Sequence, residues 1–434
     1  MDKFELYEGT TMEFCSPIVN SYKFGYYNFC PFDESNKLLL AHKIFFEGRM
    51  PNKDDQVEVG YFDFDKNGKW VYLDTTSAFN WQQGSMLQWL PTKDGSRKII
   101  FNTTQKGRYI AKIIDIDTNV ATMLNRSIYA IDPKGKFALG MNFERSHFTR
   151  AYSYAPIQDE YWNEKIHPED FIYKIDINSK EEKRLFSIND IIKKNNDVVN
   201  DFNAHWFEHI MLNRSGTKFA FYHRYGSASK FETSVFTADN DGNNIWHLQS
   251  NGSERYTHLG WLNDEEFTVF TVPLSAIQIK QQKIDKNLQK TPLFLSVYRK
   301  FFKRWIPKTL VKKVVPKLKK GFYSHVKNGK GKINSYFPEP IGMDGHPSFT
   351  KCGRYMLSDT YADQHGYRHL LLYSLKEKKT LLLGRFYSKY NNCGWRGDLH
   401  PRFSRDEQKV IIDSTHNGKH QMLVLKINWG KIYE

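Results

Sequence analysis

The sequence predicts an all-β protein, a seven-bladed β-propeller that is interrupted by a basic helical insertion. Three observations favour this fold: a hairpin unit that recurs along the chain, two similar histidine-containing stretches near the C-terminus, and one long segment that breaks the strand pattern. Radial repetition of four-stranded sheets gives a chain of this length a large core while leaving few exposed strand edges.

Two kinds of unit alternate along the chain. In the first, a polar turn precedes an apolar, β-branched or aromatic run, as in the seven stretches DESNKLLLAHK, KDGSRKIIFN, PKGKFALGMN, RSGTKFAFYH, NDEEFTVFT, KCGRYMLSDT and RDEQKVIIDS. In the second, an alternating strand enters a turn and a second strand follows, as in the six stretches VGYFDFDKNGKWVYL, AKIIDIDTNVATML, FIYKIDINSKEEKRLF, SVFTADNDGNNIWHL, LLLYSLKEKKTLLL and QMLVLKINWGKIY. One hairpin of each kind makes a four-stranded meander, which indicates seven sheets. We expect an N-terminal strand to close the last blade around Val424, because closure removes an exposed edge.

Composition and the N-terminus indicate a folded cytoplasmic protein. Of the 434 residues, 15% are aromatic and 26% are charged, which is typical of a globular chain. The stretch MDKFELYEGTTMEF contains acids and has no apolar core of the kind found in a secretory signal. No apolar run approaches the roughly 20 residues that a membrane-spanning helix needs. The four cysteines have no C-x-x-C spacing, so we expect them to be reduced.

The net charge of +15 belongs to one segment. Between Lys286 and Lys332 there are 15 Lys or Arg residues and no Asp or Glu, which leaves 48 basic residues against 48 acidic ones elsewhere. This distribution argues against nucleic acid as a partner for the whole surface.

Residues 286–332 also interrupt the strand pattern. In TPLFLSVYRKFFKRWIPKTLVKKVVPKLKKG, apolar residues such as Phe301 and Trp305 fall at helical spacing, and basic residues fill the other side. A basic amphipathic helix of this kind suits an anionic lipid surface, which would place the protein at the periphery of the inner membrane. Alternatively, the apolar stripe packs on the propeller and the lysines face water. The predicted organisation is a first propeller part (1–285), the insertion (286–332) and the last blades (333–434).

Two stretches near the C-terminus predict a metal site. GHPSFTKCGRYMLSDT and LHPRFSRDEQKVIIDST both read His-Pro-x-Phe, then a polar turn, then an apolar run ending in a carboxylate and Ser or Thr. Equivalent positions of neighbouring blades converge on a propeller axis, so we expect His346 and His400 to face each other. Together with a third ligand they would hold Zn²⁺ or Mn²⁺, and Cys393 offers a thiolate. Alternatively, each histidine caps a turn or hydrogen-bonds to the backbone.

A second cluster of functional side chains lies mid-chain, in NAHWFEH, FYHRYG and SERYTHLGW. Histidine, tyrosine and arginine together supply a base, an acid and a carboxylate clamp, which β-elimination from a uronic acid requires. The alternatives are a sugar-binding surface or buried polar pairs. The candidate catalytic residues are His205, His209, His223, Arg224 and Tyr256.

Several motifs together resemble the seven-bladed propeller polysaccharide lyases, namely the ulvan lyases and oligogalacturonate lyases. They are FNWQQGSMLQWLP, IYAIDPKGKFALGMNF, NAHWFEHIMLNRSGTKFAFYHR, THLGW, GHPSF with DTY, and DLHPRFSRD with DSTH, in that order from about Asn80 to Val424. The resemblance implies cleavage of acidic oligo- or polysaccharides by β-elimination, with a metal or an arginine neutralising the uronate. We predict that substrate contacts involve Trp81, Gln82, Gln83 and His258.

The chain departs from the families at the metal site. The metal site of oligogalacturonate lyases resembles a Gln-x-x-His-x-His pattern plus an earlier histidine. His400 corresponds to the first histidine of the pattern, and His346 corresponds to the earlier histidine. Gly397 stands in place of the glutamine and Arg402 in place of the last histidine. Ulvan lyases are similar in carrying a structural zinc with a cysteine near the position where this chain has Gly397. Cys393 could take the place of that cysteine.

Three hypotheses follow, from different functional classes. The first is a lyase that acts on acidic oligosaccharides. The second is a non-catalytic glycan-binding or scaffold propeller in cell-surface polysaccharide biosynthesis, docked at the inner membrane. The third is a membrane-docked interaction platform without a sugar site.

Overall fold

The protein is a seven-bladed β-propeller. The computed structural model describes residues 3–148, 152–195, 197, 204–227, 230–250, 252–274, 321–336, 338 and 342–433. Within these residues the strands form seven antiparallel sheets, one per blade. Residues from the first strands of different blades meet at the centre, so the first strand of each blade lies nearest the axis.

The first four blades are built from consecutive strands along the chain. Their strands are β3–β6 (Ser21–Lys23, Leu38–Ile44, Val57–Asp63, Lys69–Thr76), β7–β10 (Gln88–Leu90, Lys98–Gln105, Arg108–Asp115, Ala121–Met123), β11–β14 (Ala130–Ile131, Phe137–Gly140, Phe171–Asp176, Glu182–Ser187) and β15–β18 (Ala204–Leu212, Lys218–Ser227, Lys230–Asp239, Trp246–Leu248).

The last three blades include two strands from the N-terminus. They contain β19–β22 (Glu254–Trp261, Glu266–Pro273, Phe322–Lys327, Gly331–Tyr336), β23–β26 (Ser348–Phe349, Tyr355–Asp359, Tyr367–Ser374, Lys379–Tyr387) with β1 (Phe4–Leu6), and β27–β29 (Arg402–Phe403, Lys409–Ser414, Gln421–Ile427) with β2 (Thr10–Cys15). Helical segments are short: two 3-10 turns, Phe64–Lys66 and Glu144–Phe148, and the helices α1 (Ile188–Lys194) and α2 (Trp429–Tyr433).

The predicted closure of the last blade is confirmed. Strand β2 pairs antiparallel with β29, and Phe14 lies opposite Val424. The terminal stretch QMLVLKINWGKIY therefore supplies one strand and then helix α2, and its partner strand comes from the other end of the chain. Phe14 packs against the rings of Phe62 and Phe64 at 5.0 and 5.1 Å, which anchors the closing strand to blade one.

The described residues correct one boundary of the predicted insertion. Residues 275–320, which hold most of it, lie outside the described residues, and the helices expected there stay a prediction. Residues 321–332 were also assigned to the helical insertion, and that assignment is wrong because β21 and β22 complete blade five. Gly329 in the turn between them and Gly331 at the start of β22 both have positive φ, as tight hairpins require.

The core lies between neighbouring blades. Between blades three and four, for example, the ring of Phe186 packs against those of Phe207, Phe219 and Phe221, with centroids 5.2–6.2 Å apart.

Among the described residues, no helix is long and apolar enough to cross a bilayer.

Candidate active site at the propeller axis

The candidate site lies on one face of the propeller. In a blade of four antiparallel strands, the loops between the second and third strands share a face with the loops that lead to the next blade. We call this the site face; among its loops are residues 360–366 and 388–401. His346 precedes β23 and His400 precedes β27, so both stand at the site face near the axis.

Three residues, His346, Asp398 and His400, form a group that could hold a metal ion, and we call them the metal-competent group. One ligand atom from each of the three lies within 4.8 Å of the others, and all three side chains are buried. The two imidazole rings are 4.3 Å apart between centroids and perpendicular, at 89°. The prediction that these two histidines face each other from neighbouring blades is therefore confirmed.

Hydrogen bonds fix the orientation of both imidazoles. The Nδ1–H of His346 donates to Asp359 Oδ1 at 2.8 Å, and the Nδ1–H of His400 donates to the carbonyl of Gly25 at 3.1 Å. Each Nε2 therefore carries the lone pair, and neither has a hydrogen-bond partner among the described residues. Burial lowers the pKa of both imidazoles, which keeps them neutral. Two neutral imidazoles with unpartnered buried lone pairs and a carboxylate fit a divalent transition-metal ion.

The carboxylate at the end of the repeated stretch has a structural role. Asp359 Oδ2 accepts the backbone N–H groups of Leu399 and His400, at 3.1 and 3.2 Å, while its other oxygen holds His346. In the second copy, Asp413 Oδ1 accepts the backbone N–H of Phe24 in blade one. Each carboxylate thus ties its own blade to the central loop of the next, which explains why the same pattern occurs twice.

Asp398, rather than Cys393, completes the group. Burial alone raises the pKa of Asp398, but the guanidinium groups of Arg396 and Arg368, each 2.7 Å from one of its oxygens, hold that pKa well below its usual range. Cys393 does not belong to the group. Burial raises the pKa of its thiol, so the thiolate needed for metal binding is disfavoured.

His258 and Asp344 form a dyad beside this group. The Nδ1–H of His258 donates to Asp344 Oδ1 at 3.0 Å, and its ring lies 4.3 Å from that of His346. The ring of Tyr361 lies 6.2 Å from both imidazoles. We use the name axial cluster for the metal-competent group and the side chains around it at the propeller axis. His258, predicted as a substrate contact, belongs to this cluster.

Two arginines border the cluster. The guanidinium of Arg396 lies 5.8 Å from the Tyr361 ring, and its side chain is 17% exposed. That of Arg224 lies 5.8 Å from the Tyr152 ring and pairs with Glu208 at 2.5 Å. Arg224, predicted as catalytic, therefore lies next to Tyr152, whose ring is 4.9 Å from that of His209.

His209 approaches the cluster through Tyr26. The O–H of Tyr26 donates to His209 Nε2 at 2.5 Å, and His209 Nδ1 contacts Glu208 at 3.1 Å. Burial lowers the pKa of His209 to about 3, so the ring is neutral. The Tyr26 ring lies 5.2 Å from that of His400, which links the mid-chain cluster to the metal-competent group. His209 and His400 both adopt the left-handed backbone conformation, a strained one that occurs often at functional sites.

The structure does not bring His205 and His223 to the axial cluster. Their Nδ1 and Nε2 atoms share a hydrogen bond at 3.0 Å, and His223 Nδ1 lies 2.8 Å from the amide nitrogen of Asn195 at the end of α1. Alternation along β16 turns His223 to the opposite side of the sheet from Arg224. The expected grouping of these two histidines with His209 is therefore absent from the described residues.

Four further predicted residues have structural contacts in the core. Tyr256 donates its O–H to the carbonyl of Gln249, and Trp81 is fully buried and stacks on His420 at 4.3 Å. Gln82 donates to the carbonyl of Arg396 and Gln83 to the hydroxyl of Tyr129. These side chains are at most 2% exposed, and Gln82 holds the backbone of Arg396, so their contacts in the structure are within the protein.

Sequence reasoning missed five residues of the cluster: Tyr26, Asp344, Tyr361, Arg396 and Asp398. A signal for two of them was present, because both repeated stretches read Asp-x-His, as Asp344-Gly-His346 and Asp398-Leu-His400. Asp344 and Asp398 precede the histidines in the loops that reach the axis. Nothing in the local sequence distinguishes Tyr26, Tyr361 or Arg396 from other aromatic or basic loop residues.

Comparisons with known proteins found solved structures that share this architecture. No protein-family model matches the sequence, and no curated protein does. Among solved structures, an oligogalacturonate lyase in complex with manganese is similar over 99% of this chain and 97% of its own, with a TM-score of 0.64 and 13% identity. An oligogalacturonate lyase from Vibrio parahaemolyticus is similar over 98% and 96%, with a TM-score of 0.60 and 12% identity. The chain shares the fold of oligogalacturonate lyase. At these identities the likeness shows the fold alone.

Proposed function

We propose that this protein is a lyase that cleaves acidic, uronate-containing oligo- or polysaccharides by β-elimination. The observation that carries the proposal is the His258–Asp344 dyad, which stands beside the group of His346, Asp398 and His400. A base next to a cation-binding group is what elimination beside a carboxylate needs. The fold shared with oligogalacturonate lyase supports the same reaction class.

Two guanidinium groups beside the site support a uronate as the bound sugar. A proton next to a carboxylate becomes acidic only when the negative charge is neutralised, because removal of that proton adds a second charge. Arg396 and Arg224 each pair with a carboxylate of the protein, Asp398 and Glu208, and their guanidinium groups have further N–H donors with which to bind a substrate carboxylate. The ring of Tyr361, next to Arg396, offers a surface on which a sugar ring can pack.

We assign the proton transfers to His258 and Tyr361. Because the Nδ1–H of His258 is held by Asp344, its Nε2 is the proton acceptor. The base takes the proton from the carbon next to the uronate carboxylate, its electron pair forms a carbon–carbon double bond, and the bond to the glycosidic oxygen breaks. The leaving oxygen takes a proton from Tyr361, whose hydroxyl stays protonated because burial raises its pKa well above 10.

We infer that a divalent ion, Mn²⁺ or Zn²⁺, is held by Nε2 of His346, Nε2 of His400 and the carboxylate of Asp398. When bound, such an ion supplies positive charge that stabilises the carboxylate-bearing intermediate. The two oxygens of Asp398 also pair with Arg368 and Arg396, at 2.7 Å each, so these arginines would hold the carboxylate in position.

The test is the ultraviolet absorbance of the unsaturated product when metal-loaded protein meets a panel of acidic oligosaccharides. We expect activity on at least one, and a loss of roughly 100-fold or more in His258→Gln. Tyr256→Phe is the matched control; it should retain activity because Tyr256 lies in the core between blades four and five. Absence of product from the whole panel would overturn the proposal. Binding without product would favour the non-catalytic glycan-binding alternative.

A further inference from the structure

We propose that the site face of the propeller docks on an anionic lipid membrane, so that the axial site opens toward the lipid. The first observation is where exposed apolar side chains lie. Seven large apolar side chains in the described part of the chain are at least half exposed. Four of these are on the site face: Ile18 (50%), Val19 (73%), Phe45 (60%) and Trp162 (53%).

The assignment to faces follows from strand order. Ile18 and Val19 lie between β2, the outer strand of blade seven, and β3 of blade one, while Phe45 and Trp162 lie between second and third strands. On the opposite face only Val120 is exposed to this degree among the described residues, and two others lie on outer blade edges, Tyr72 and Ile333. The site face therefore carries more of the exposed apolar surface than the other face does.

Lysines accompany two of these side chains. The Lys419 ammonium donates to the carbonyl of Val19 at 2.8 Å. The Lys43 ammonium lies 5.1 Å from the Phe45 ring and pairs with Glu58 at 3.2 Å. An apolar side chain next to a long cationic one suits the boundary between acyl chains and anionic headgroups, because the lysine stem extends toward the headgroups while the apolar group enters the acyl region.

The basic sequence segment joins the chain at the same face. It connects β20 to β21, the second and third strands of blade five, so its flanking residues Leu274 and Gly321 are at the site face. Residues 286–320 contain twelve Lys or Arg and no Asp or Glu. Near an anionic leaflet each such residue contributes about 1 kcal/mol, so charge complementarity favours lipid over a neutral protein partner.

Vesicle sedimentation tests the affinity. We expect the full-length chain to bind phosphatidylglycerol vesicles and not pure phosphatidylcholine vesicles. The variant with Val19, Phe45 and Trp162 changed to serine should bind at least about tenfold more weakly, because each partly inserted side chain adds apolar burial. The matched control changes Met12, Tyr72 and Ile333 to serine; these are exposed on outer strands, and binding should be unchanged.

Nitroxide labels test the orientation directly. Val19→Cys and Val120→Cys report on opposite faces, in a chain carrying Cys352→Ser, because Cys352 is exposed. On phosphatidylglycerol vesicles we expect the label at position 19 to lose access to a water-soluble relaxation agent and the label at 120 to keep it. Failure to bind vesicles, protection of 120 instead of 19, or protection of 19 without lipid, as in a dimer, would each overturn the proposal.

Discussion

Asp359 holds both histidines of the metal-competent group, one through its ring and the other through its backbone. In Asp359→Asn, an amide N–H₂ replaces the oxygen that accepts two backbone N–H groups, so donor faces donor and the His400 loop shifts. We expect the affinity for Mn²⁺ and Zn²⁺ to fall roughly 10- to 100-fold, as is usual when a ligand loses its supporting contact. Isothermal titration calorimetry measures this. Cys393→Ser is the control and should bind metal like the wild type; equal affinity in all three would contradict the site.

Asp170 makes stability depend on pH. Burial raises the pKa of this carboxyl to about 8 from 3.8. Between these values the folded state binds a proton that the unfolded state has lost, so this group lowers the free energy of unfolding as pH rises from about 4 to about 8. The slope is up to about 1.4 kcal/mol per pH unit. Asp170→Asn, a neutral side chain of the same shape, should flatten this dependence in urea unfolding. Asp241→Asn, at an exposed position, should leave it unchanged, and an unaltered slope in Asp170→Asn would contradict the assignment.

Single residues differed in how far the sequence could predict them. His346 and His400 were predictable because a repeated pattern in a radial fold brings equivalent positions together. Cys393 was predicted as the third ligand but lies outside the group of His346, Asp398 and His400, because loop conformation, not sequence distance, decides which side chain turns inward. His205 and His223 are close in space to each other, yet strand alternation separates them from Arg224, and alternation could not be assigned before the strand register was known.

At the scale of elements, β2 closes the ring of blades, whereas β1 only adds a fifth strand to blade six. Removing residues 1–8 deletes β1 and leaves blade six with four strands, whereas removing residues 1–15 leaves blade seven with three and exposes the edge of β29. We expect the longer truncation to lose on the order of 3 kcal/mol or more, because it also removes Phe14 from between Phe62 and Phe64. Thermal unfolding and light scattering measure the effect. Equal stability of the two truncations would contradict the closure.

The hairpin of β21 and β22 shows why one element boundary was misplaced. Its strands Phe322–Lys327 and Gly331–Tyr336 contain two of the lysines that made the segment 286–332 look uniform in charge, and the turn between them contains a third, Lys330. Because the predicted insertion was bounded by its run of basic residues, its predicted end fell inside blade five. The alternating pattern within YSHV and INSY was the better guide, since strand pairing depends on side-chain alternation and not on net charge.

At the scale of the whole molecule, the axial cluster takes residues from five blades. Tyr26 comes from blade one, His209 from blade four and His258 from blade five, and the last two blades supply His346 and His400. A metal ion held there would bind the closed ring and not the unfolded chain. At 100 times its dissociation constant it should therefore stabilise the fold by about 2.7 kcal/mol. We expect a rise in melting temperature with Mn²⁺ or Zn²⁺ that His400→Ala loses; a rise of the same size in both proteins would indicate binding elsewhere.

The central claim is that this propeller breaks its substrate by elimination at the axial site. Mass spectrometry of the products from an acidic oligosaccharide tests it most directly, because elimination leaves a fragment one water molecule lighter than hydrolysis does. We predict the lighter fragment with the wild-type protein and its loss in His258→Gln. Products with the mass of hydrolysis, or lighter fragments that persist in His258→Gln, would contradict the account.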